Sequence, residues 1–283
     1  MGRACLKTGF STASLEYNKR LEQKSDELAQ IGEELRGANV RLRELDKLKD
    51  EFVAMVSHEL RTPLTSIRAF AEILRDSPEV TPEQKSHFLD VIVKESERLS
   101  RLIEEILDLA RLESGRMRLD LKPINLNELA KDSADAITQL YDDRQVDLEL
   151  ILPEEQAWVT ADPDKLQQVI INLLDNASKF TAPKDAKVVM TINTQANNWF
   201  LAVEDNGTGI AEEERDKVFE NFHQIQQHKN TSGLRPKGSG LGLPISRGII
   251  NHHQGQLYIE SGQVLKGARF VIVLPAIKPP TYS

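Results

Sequence analysis

The feature that most limits the fold of this chain is a leucine at every seventh position near its start. The repeat comprises Leu21, Leu28, Leu35 and Leu42, and a second apolar series is interleaved with it: Ile31, Ala38, Leu45 and Phe52. An apolar seam of this period, surrounded by Glu, Lys and Arg, predicts a parallel dimeric coiled coil. A single exposed amphipathic helix is the alternative, because Gly32 and Gly37 weaken the seam and Lys24 lies on it.

A second amphipathic helix is predicted after the loop DSPEVTPEQ. Thr81 is suited to be its N-cap, Pro82 its first residue and Gln84 the partner in a capping box. The pair Ser114-Gly115 is typical of its C-terminal end. Two long amphipathic helices joined by a short loop form an antiparallel hairpin. Because the apolar stripe of one hairpin is too wide to hide alone, two copies are expected to pair into a four-helix bundle.

Beyond Gly115 the pattern changes to short alternating or β-branched runs, which are MRLDL, VDLELIL, AWVTA, KVVMTI, WFLAVED, QLYIES and ARFVIVL. Helical patterns interrupt them at residues 126–142, 163–180 and 240–253. This mixture predicts an α/β sandwich in which helices cover one face of a sheet.

The whole chain is therefore expected to be a multidomain protein of α and α+β class. The expected parts are a disordered N-terminus (1–14), a coiled-coil helix (15–50), a dimerising helical hairpin (51–114), an α/β domain (115–277) and a C-terminal tail (278–283). Since the coiled coil starts so near the first residue, an input module is expected upstream of it.

Composition excludes several classes of protein. The chain has 36 Lys and Arg against 44 Asp and Glu, a formal charge of -8, and only 5% aromatic residues, which argues against nucleic-acid binding. Its one cysteine, Cys5, rules out an intrachain disulfide and a cysteine-rich metal site. No apolar run approaches the roughly 18 residues of a membrane span. A cytoplasmic fragment is expected, with membrane tethering of the full-length protein left open.

The stretch FVAMVSHELRTPLTSIRAF places a histidine opposite the apolar stripe of its helix. At helical spacing His58 falls on the outer face, with Thr62 close to it. HELRT begins like the zinc-protease motif HExxH, but Thr62 replaces the second histidine, so the zinc interpretation fails. An exposed neutral imidazole is a competent nucleophile, and a carboxylate that accepts its other N–H fixes the tautomer. Glu59 is the candidate carboxylate, although adjacent helical residues do not share a face.

Three separated segments supply a candidate electrophile site. They are NLLDNASKF, DNGTGI at a strand end, and GSGLGL at the start of a helix. None fits a P-loop or a Rossmann fingerprint, and each alone is weak. Together they predict a nucleotide pocket whose glycines permit close backbone approach: Gly207, Gly209, Gly238, Gly240 and Gly242.

Polar side chains of these segments suit the parts of ATP. Asn176 offers a neutral oxygen to Mg²⁺, while Lys179 and Lys237 balance phosphate charge. Asp205 accepts a hydrogen bond from the exocyclic amine of adenine, where guanine carries a carbonyl oxygen.

In their order along the chain, HELRTPL, NLLDNASKF, DNGTGI, VFENF and GSGLGL resemble the H, N, G1, F and G2 boxes of sensor histidine kinases. The resemblance covers roughly residues 45–275 and depends on five motifs in one order. It implies a dimerisation and histidine-phosphotransfer domain, followed by an ATP-binding domain of the Bergerat (GHKL) type.

The resemblance also implies roles for individual residues. His58 would be the phosphoacceptor, Glu59 its assisting base, and Thr62 the residue that orients water during dephosphorylation of a partner. Residues 211–240 would form a lid over ATP, with Phe219 and Phe222 in the F box. The nucleotide and Mg²⁺ would be bound by Asn172, Asn176, Lys179, Phe180, Asp205, Gly207, Gly209, Lys237, Gly238, Gly240, Leu241 and Gly242, with Asn176 as the metal ligand.

Two departures from the family pattern are present. His223-Gln224 stands where many relatives have an arginine shortly after the F-box phenylalanines, and the last glycine box is reduced to Gly267 before Phe270.

The expected function is autophosphorylation of His58 by ATP and transfer of the phosphoryl group to an aspartate of a response-regulator receiver domain, with phosphatase action on that regulator. Two other functions are compatible with a Bergerat-type nucleotide pocket: an ATP-driven conformational clamp without phosphohistidine chemistry, and a catalytically degenerate dimeric scaffold. The HELRT and NxxxN motifs disfavour both.

Overall fold

A computed structural model describes residues 4–77, 79–182, 184–221, 223 and 240–279. The chain divides into two units, Met1–Thr62 and Pro63–Ser283. Its first helix, α1, spans Ala4–Asp76, and the second, α2, spans Pro82–Glu113. None of the helices in the described part of the chain is long and apolar enough to cross a lipid bilayer.

Helix α1 starts earlier than the sequence pattern predicts. Residues 1–14 were expected to be disordered, but the backbone is helical from Ala4 onward, so this expectation was wrong for residues 4–14. The physical reason is that no proline precedes Pro63 in the sequence. Once a helix has nucleated, it extends at little cost through residues that lack a strong helix breaker.

Both predicted ends of α2 are confirmed. The Gln84 backbone N–H donates to Thr81 Oγ1 (3.2 Å), and the Thr81 backbone N–H donates to Gln84 Oε1 (3.1 Å), which completes the capping box. At the other end Ser114 is the C-cap, and Gly115 follows with a φ of 63°, a left-handed conformation that glycine adopts without strain. Across the hairpin the rings of Phe70 and Phe88 lie 5.2 Å apart.

After Gly115 the described residues fold into an α/β domain with three α-helices, two short 3-10 helices (Glu212–Glu214 and Lys217–Phe219) and two sheets. The helices are α3 (Leu126–Arg144), α4 (Pro163–Phe180) and α5 (Gly242–His252). The strands are β1 (Lys122–Asn125), β2 (Asp147–Ile151), β3 (Trp158–Ala161), β4 (Lys187–Gln195), β5 (Asn198–Asp205), β6 (Gln256–Ser261) and β7 (Ala268–Pro275). Five strands form the main sheet in the order β2-β4-β5-β7-β6, and β1 pairs with β3 separately.

Helices in this domain lie where the pattern predicts them, but the strand prediction fails at its first run. MRLDL (117–121) was expected to be a strand, whereas the strand is KPIN, which pairs with β3 from Lys122↔Ala161 to Asn125↔Trp158. The backbone N–H of Asp120 instead donates to the side chain of Asp162 (2.9 Å). Alternation marks residues able to form a strand, but tertiary pairing decides which of them do.

The pairing in the main sheet also differs from a series of hairpins, because β2 and β4 are parallel. The remaining pairs, β4–β5, β5–β7 and β6–β7, are antiparallel. The ends of β5 and β7 that lie side by side carry Glu204 opposite Arg269, and Asp205 follows as the last residue of β5.

Burial of one face of α4 fixes the rotation of this helix. The buried apolar residues are Leu166, Val169, Ile170, Leu173, Leu174 and Ala177. Each fully buried aliphatic side chain contributes about 1.5–3 kcal/mol relative to exposure. With that face held, Asn172 and Asn176 lie at its half-buried edge.

A buried histidine supports the start of α4. The Asp162 backbone N–H donates to His253 Nε2 (2.9 Å), and His253 Nδ1 lies 2.8 Å from the Ile249 carbonyl oxygen. Burial lowers the pKa of His253, which suits a neutral ring that accepts at Nε2. His253 is therefore a structural core residue, with a partner for each ring nitrogen.

Candidate functional site

His58 is exposed on α1, as its helical position predicts. Its side chain is 75% exposed, against 19% for the neighbouring Glu59. The distance from His58 Nδ1 to Glu59 Oε1 is 3.8 Å, which is longer than a hydrogen bond. The carboxylate thus lies on the Nδ1 side of the ring, although sequence spacing alone could not place it there. A proton held at Nδ1 leaves Nε2 with the lone pair that a nucleophile needs.

Thr62 lies one helical turn after His58 and is tied to it through the backbone. Its hydroxyl donates to the His58 carbonyl oxygen over 3.2 Å. Threonine can make this bond within a helix because its hydroxyl reaches the carbonyl four residues back. The bond gives the Thr62 hydroxyl a defined orientation beside the backbone of the candidate nucleophile.

In the second unit, α4 presents two amides at successive turns. Asn172 Nδ2 donates to Ser246 Oγ of α5 (2.9 Å), so this residue connects the two helices. Asn176 follows one turn later and is half-buried. The N-terminal end of α4 is capped by Asp162, which accepts from the Lys165 backbone N–H (3.1 Å).

Lys179, at the end of α4, is held by a charge network. Its Nζ lies 2.6 Å from Asp175 Oδ2, and Arg144 Nη1 lies 2.8 Å from Asp175 Oδ1. Burial pushes the pKa of Asp175 upward, but the two cations outweigh it and hold that pKa below its usual range. Asp175 therefore stays ionised, and the Lys179 ammonium remains at the end of the helix.

Asp205 is a buried carboxylate at the end of β5, only 2% exposed. Its Oδ1 accepts from the backbone N–H groups of Gly207 (2.7 Å) and Ala268 (3.4 Å). Burial raises the pKa of Asp205 to about 6, with a smaller increase from the nearby Glu204 charge, against the effect of those two donors. Such a group is an ionised hydrogen-bond acceptor at neutral pH.

Gly207 brings the DNGTGI turn against the end of α4. A Cβ at this position would overlap the carbonyl oxygen of Phe180, so the close approach requires glycine. Phe180 itself keeps 48% of its surface exposed.

Asn206 strengthens the same junction, although the sequence did not point to it. Its Oδ1 accepts from the backbone N–H groups of Ala182 and Lys187 (both 3.1 Å), and its Nδ2 donates to the Asp185 carbonyl (2.6 Å). The asparagine after Asp205 was the available signal, since this residue type often hydrogen-bonds nearby backbone in turns.

The start of α5 closes on α4 at Gly242. A Cβ on Gly242 would overlap the Asn172 amide. Leu241 is the buried N-cap residue, and its side chain does not cap the helix. Gly240 precedes it with a φ of 72°. The predicted phosphate contacts Lys237 and Gly238 lie outside the described residues.

The F-box region packs on α5. The Arg247 guanidinium carbon lies 4.8 Å from the ring centroid of the buried Phe219, a cation–π arrangement. His223, at the first departure from the family pattern, places Nε2 2.8 Å from Glu214 Oε2. The second F-box phenylalanine, Phe222, lies outside the described residues.

The end of α2 contacts the α/β domain through residues that the sequence did not single out. Lys165 Nζ lies 2.7 Å from Asp108 Oδ2, to which Gln168 also donates (3.0 Å). Further along, a Cβ on Gly248 would overlap the Leu112 side chain. The last helical residue, Glu113, accepts from Asn221 Nδ2 (3.2 Å).

The donor set suits Mg²⁺ bound together with a nucleotide rather than alone. Among the described residues there is no group of three or more His, Cys, Asp or Glu side chains able to hold a metal ion. The carboxylate nearest to Asn176 in sequence, Asp175, already forms ion pairs with Lys179 and Arg144. One neutral amide oxygen at Asn176 fits an ion that takes most of its ligands from phosphates and water.

Both parts of the chain match known domain families. Residues 48–115 match the His Kinase A (phospho-acceptor) domain. Residues 161–278 match the family described as Histidine kinase-, DNA gyrase B-, and HSP90-like ATPase.

Similar proteins include Sensor protein SrrB of Staphylococcus aureus (strain MRSA252), 33% identical over 231 residues, which are 82% of this chain and 39% of that relative. The chain thus spans about two fifths of the length of the curated relatives it matches. Among solved structures, the Acinetobacter baumannii histidine kinase AdeS has a TM-score of 0.60 at 25% identity, covering 77% of this chain and 97% of its own. Histidine kinase ThkA in complex with the response regulator protein TrrA also has a TM-score of 0.60, at 26% identity, covering 83% of this chain and 64% of its own.

Proposed function

Since this chain belongs to the sensor histidine kinases, we propose that it phosphorylates itself at His58 with ATP and passes the phosphoryl group to an aspartate of a receiver domain. The observation that carries the proposal is the exposed His58 imidazole whose Nδ1 faces the Glu59 carboxylate. A carboxylate on that side favours the tautomer with the lone pair on Nε2 and stabilises the positive charge that the ring acquires on attack.

In the proposed step, Nε2 of His58 forms a bond to the γ-phosphorus of ATP while the bond to the bridging oxygen breaks, with ADP as the leaving group. The ring proton at Nδ1 is shared with or passed to Glu59. The N–P bond of the product is labile, so the phosphoryl group moves readily to a carboxylate oxygen of the partner.

The nucleotide is proposed to bind between α4, the DNGTGI turn and the start of α5. Asp205 would accept from the adenine amine, and Phe180 would lie beside the base. The first N–H groups of α5 and the Lys179 ammonium would face the phosphates. Asn172 and Asn176 border the same space. Mg²⁺ bound with ATP would neutralise phosphate charge, with Asn176 as its protein ligand.

Homodimerisation is proposed for the helical part of the chain. Large apolar side chains on α1 and α2 are exposed in the single chain, among them Leu35, Leu42, Leu64, Val93 and Leu107. An apolar stripe of this length in a soluble domain usually marks a surface that a partner covers. A second copy, packed through the bundle and the coiled coil, would cover it.

A receiver domain is the proposed partner because ThkA, a similar structure, is in complex with a response regulator protein. The test is to phosphorylate the chain with γ-labelled ATP, remove the nucleotide and add receiver domains. Loss of label from the chain with gain on one receiver domain is expected. Label that stays on the chain with every receiver would argue against transfer, and ATP turnover without any label would favour a conformational clamp.

Phosphatase action on the same regulator is proposed from Thr62, whose hydroxyl is oriented one turn from His58. Thr62→Ala should keep autophosphorylation and slow dephosphorylation of the phosphorylated receiver. Thr62→Ser, which keeps the hydroxyl, is the matched control. Equal dephosphorylation by the wild type and Thr62→Ala would refute this role.

A further inference from the structure

We infer that Glu204 is a positioning residue for adenine recognition, because it holds the loop between β6 and β7 against the carboxylate of Asp205. The inference rests on the proposed role of Asp205 as the acceptor for the adenine amine. Glu204 itself does not reach the nucleotide site: neighbouring strand residues project to opposite faces of a sheet, so Glu204 and Asp205 point apart. Its effect on Asp205 is transmitted through the loop formed by residues 262–267.

Glu204 is 1% exposed, and both of its oxygens have partners. Oε1 accepts from the backbone N–H of Val264 (2.7 Å) and from that of Leu265. Oε2 accepts from Arg269 Nη1 over 3.1 Å. A buried carboxylate that is surrounded in this way costs little to keep ionised, whereas removing it leaves the loop N–H groups without acceptors.

The 262–267 loop is wrapped around this carboxylate. Its ends are joined by a hydrogen bond from the Gly262 N–H to the Gly267 carbonyl (3.0 Å). A Cβ on Gly262 would lie 2.7 Å from Glu204 Oε1, so the backbone approaches the carboxylate as closely as glycine allows. Lys266, at the turn, has a φ of 66°, a conformation that non-glycine residues adopt at a cost. Loop conformation therefore depends on the Glu204 anion.

The last residues of the loop contact Asp205. A Cβ on Gly267 would overlap both the backbone and the side-chain oxygen of Asp205. The next residue, Ala268, donates its backbone N–H to Asp205 Oδ1 (3.4 Å). The loop thus confines the Asp205 carboxylate, and its position sets where Asp205 can accept from a base.

Charge in the cluster is balanced by one arginine. Arg269, itself buried, donates through Nη1 to Glu204 and through Nε to Glu260 Oε1 (2.9 Å). Burial raises the pKa of Glu204, but the loop N–H donors and Arg269 outweigh this effect and hold the pKa below its usual range. Glu260 shares the arginine and accepts from the Gln263 side chain (2.9 Å), but Val264 and Leu265 donate their backbone N–H groups to Glu204 instead.

Binding measurements with two nucleotides distinguish a role of Glu204 in positioning Asp205 from a general loss of structure. Purine riboside triphosphate lacks the 6-amine of ATP. Its dissociation constant divided by that of ATP therefore reports on recognition of the amine alone, and this quotient is the ratio used below. In Glu204→Ala this ratio is expected to fall about tenfold, the loss expected for one charge-assisted hydrogen bond of about 1.4 kcal/mol. Glu204→Gln keeps an acceptor for the loop, and an intermediate fall of about threefold is expected. Glu260→Ala, the matched control, should keep the wild-type ratio.

The inference would be overturned if Glu204→Ala and Glu204→Gln weakened the binding of both nucleotides equally, so that the ratio did not change. Should Glu204→Ala not fold, as judged by circular dichroism, an unchanged ratio in Glu204→Gln alone overturns it. Asp205→Ala separates this failure from that of the underlying role. If the ratio falls in Asp205→Ala but stays at the wild-type value in the Glu204 variants, Asp205 recognises the amine and only the positioning role of Glu204 is refuted. If the ratio stays at the wild-type value in Asp205→Ala, both the adenine role of Asp205 and the positioning role of Glu204 are refuted.

Discussion

The carboxylate of Asp108, near the end of α2, forms an ion pair with the ammonium of Lys165, in the first turn of α4, at 2.7 Å. Asp108 is 3% exposed and also accepts from Gln168. Because these residues are 57 positions apart, the pair joins the helical hairpin to the α/β domain directly. The end of α2 is therefore held by a buried charge and by the packing of Leu112 on Gly248.

Asp108→Asn should loosen the end of α2. The substitution keeps the size of the side chain but removes its charge, and we expect a loss of stability on the order of 2 kcal/mol. Amide hydrogen exchange of residues 105–114 should become faster as a result. Arg111→Ala is the control, because Arg111 lies 3.8 Å from Asp108 on the exposed side and should matter little. Equal exchange in the wild type and Asp108→Asn would contradict this account of the joint.

Gly207→Ala should abolish nucleotide binding. The new Cβ would overlap the Phe180 carbonyl, so the DNGTGI turn must move away from α4. We expect loss of ATP binding by equilibrium dialysis and a lower melting temperature. Gly32→Ala is a contrasting glycine substitution: nothing lies within 4 Å of that Cβ, and alanine in a helix should stabilise by about 0.5–1 kcal/mol. ATP binding that survives Gly207→Ala would refute the close-approach argument.

Asp205→Asn should stabilise the nucleotide-free protein at neutral pH while weakening ATP binding. The folded pKa of Asp205, about 6, lies above its unfolded value, so burial of the charge destabilises the fold when the group is ionised. The contribution of Asp205 to stability is thus full below about pH 4 and is lost as the pH rises through about 6. We expect a gain of about 3 kcal/mol in Asp205→Asn at pH 8.

The pH dependence of stability tests whether the ionised Asp205 destabilises the fold. The difference in free energy of unfolding between Asp205→Asn and the wild type should shrink as the pH falls from 8 to 4, measured by urea denaturation. A difference that stays constant over this range would mean that Asp205 is not the titrating group.

Lys179→Met should weaken binding of ATP much more than binding of adenosine, because Lys179 is proposed to face the phosphates and not the base. A loss of about tenfold for ATP is expected from one charge-assisted contact. Lys187→Met is the control, since Lys187 pairs with Glu149 on the sheet (2.8 Å) and should leave both affinities unchanged. Equal losses for ATP and adenosine in Lys179→Met would argue against a phosphate contact.

The sequence predicted features that depend on local chemistry. The capping box at Thr81 and Gln84 is a four-residue pattern, and the structure has both of its hydrogen bonds. The position of Asp205 at the end of a strand was likewise predicted, from the DNGTGI segment that follows the run WFLAVED. Neighbouring residues determine the geometry of the capping box and where the strand ends, whereas the carboxylate of Asp205 also depends on the distant Ala268.

Features that depend on distant partners could not be predicted from the sequence. The pair Asp108–Lys165 requires the packing of α2 on the α/β domain, and the anchoring of residues 262–267 by Glu204 requires the register between β5 and β7. The first strand was misplaced for the same reason: β3 pairs with KPIN, although MRLDL alternates as well. Periodicity gives the face of an element but not its partner.

Mapping of the phosphorylated residue tests the central claim most directly. After incubation with γ-labelled ATP, the chain should carry a label that is lost in acid, stable in base and located on the peptide that contains His58. His58→Gln and Asn176→Asp should both lack this label, the first because the nucleophile is gone and the second because the neutral Mg²⁺ ligand becomes charged. Label that persists in His58→Gln with the same acid lability would contradict the account.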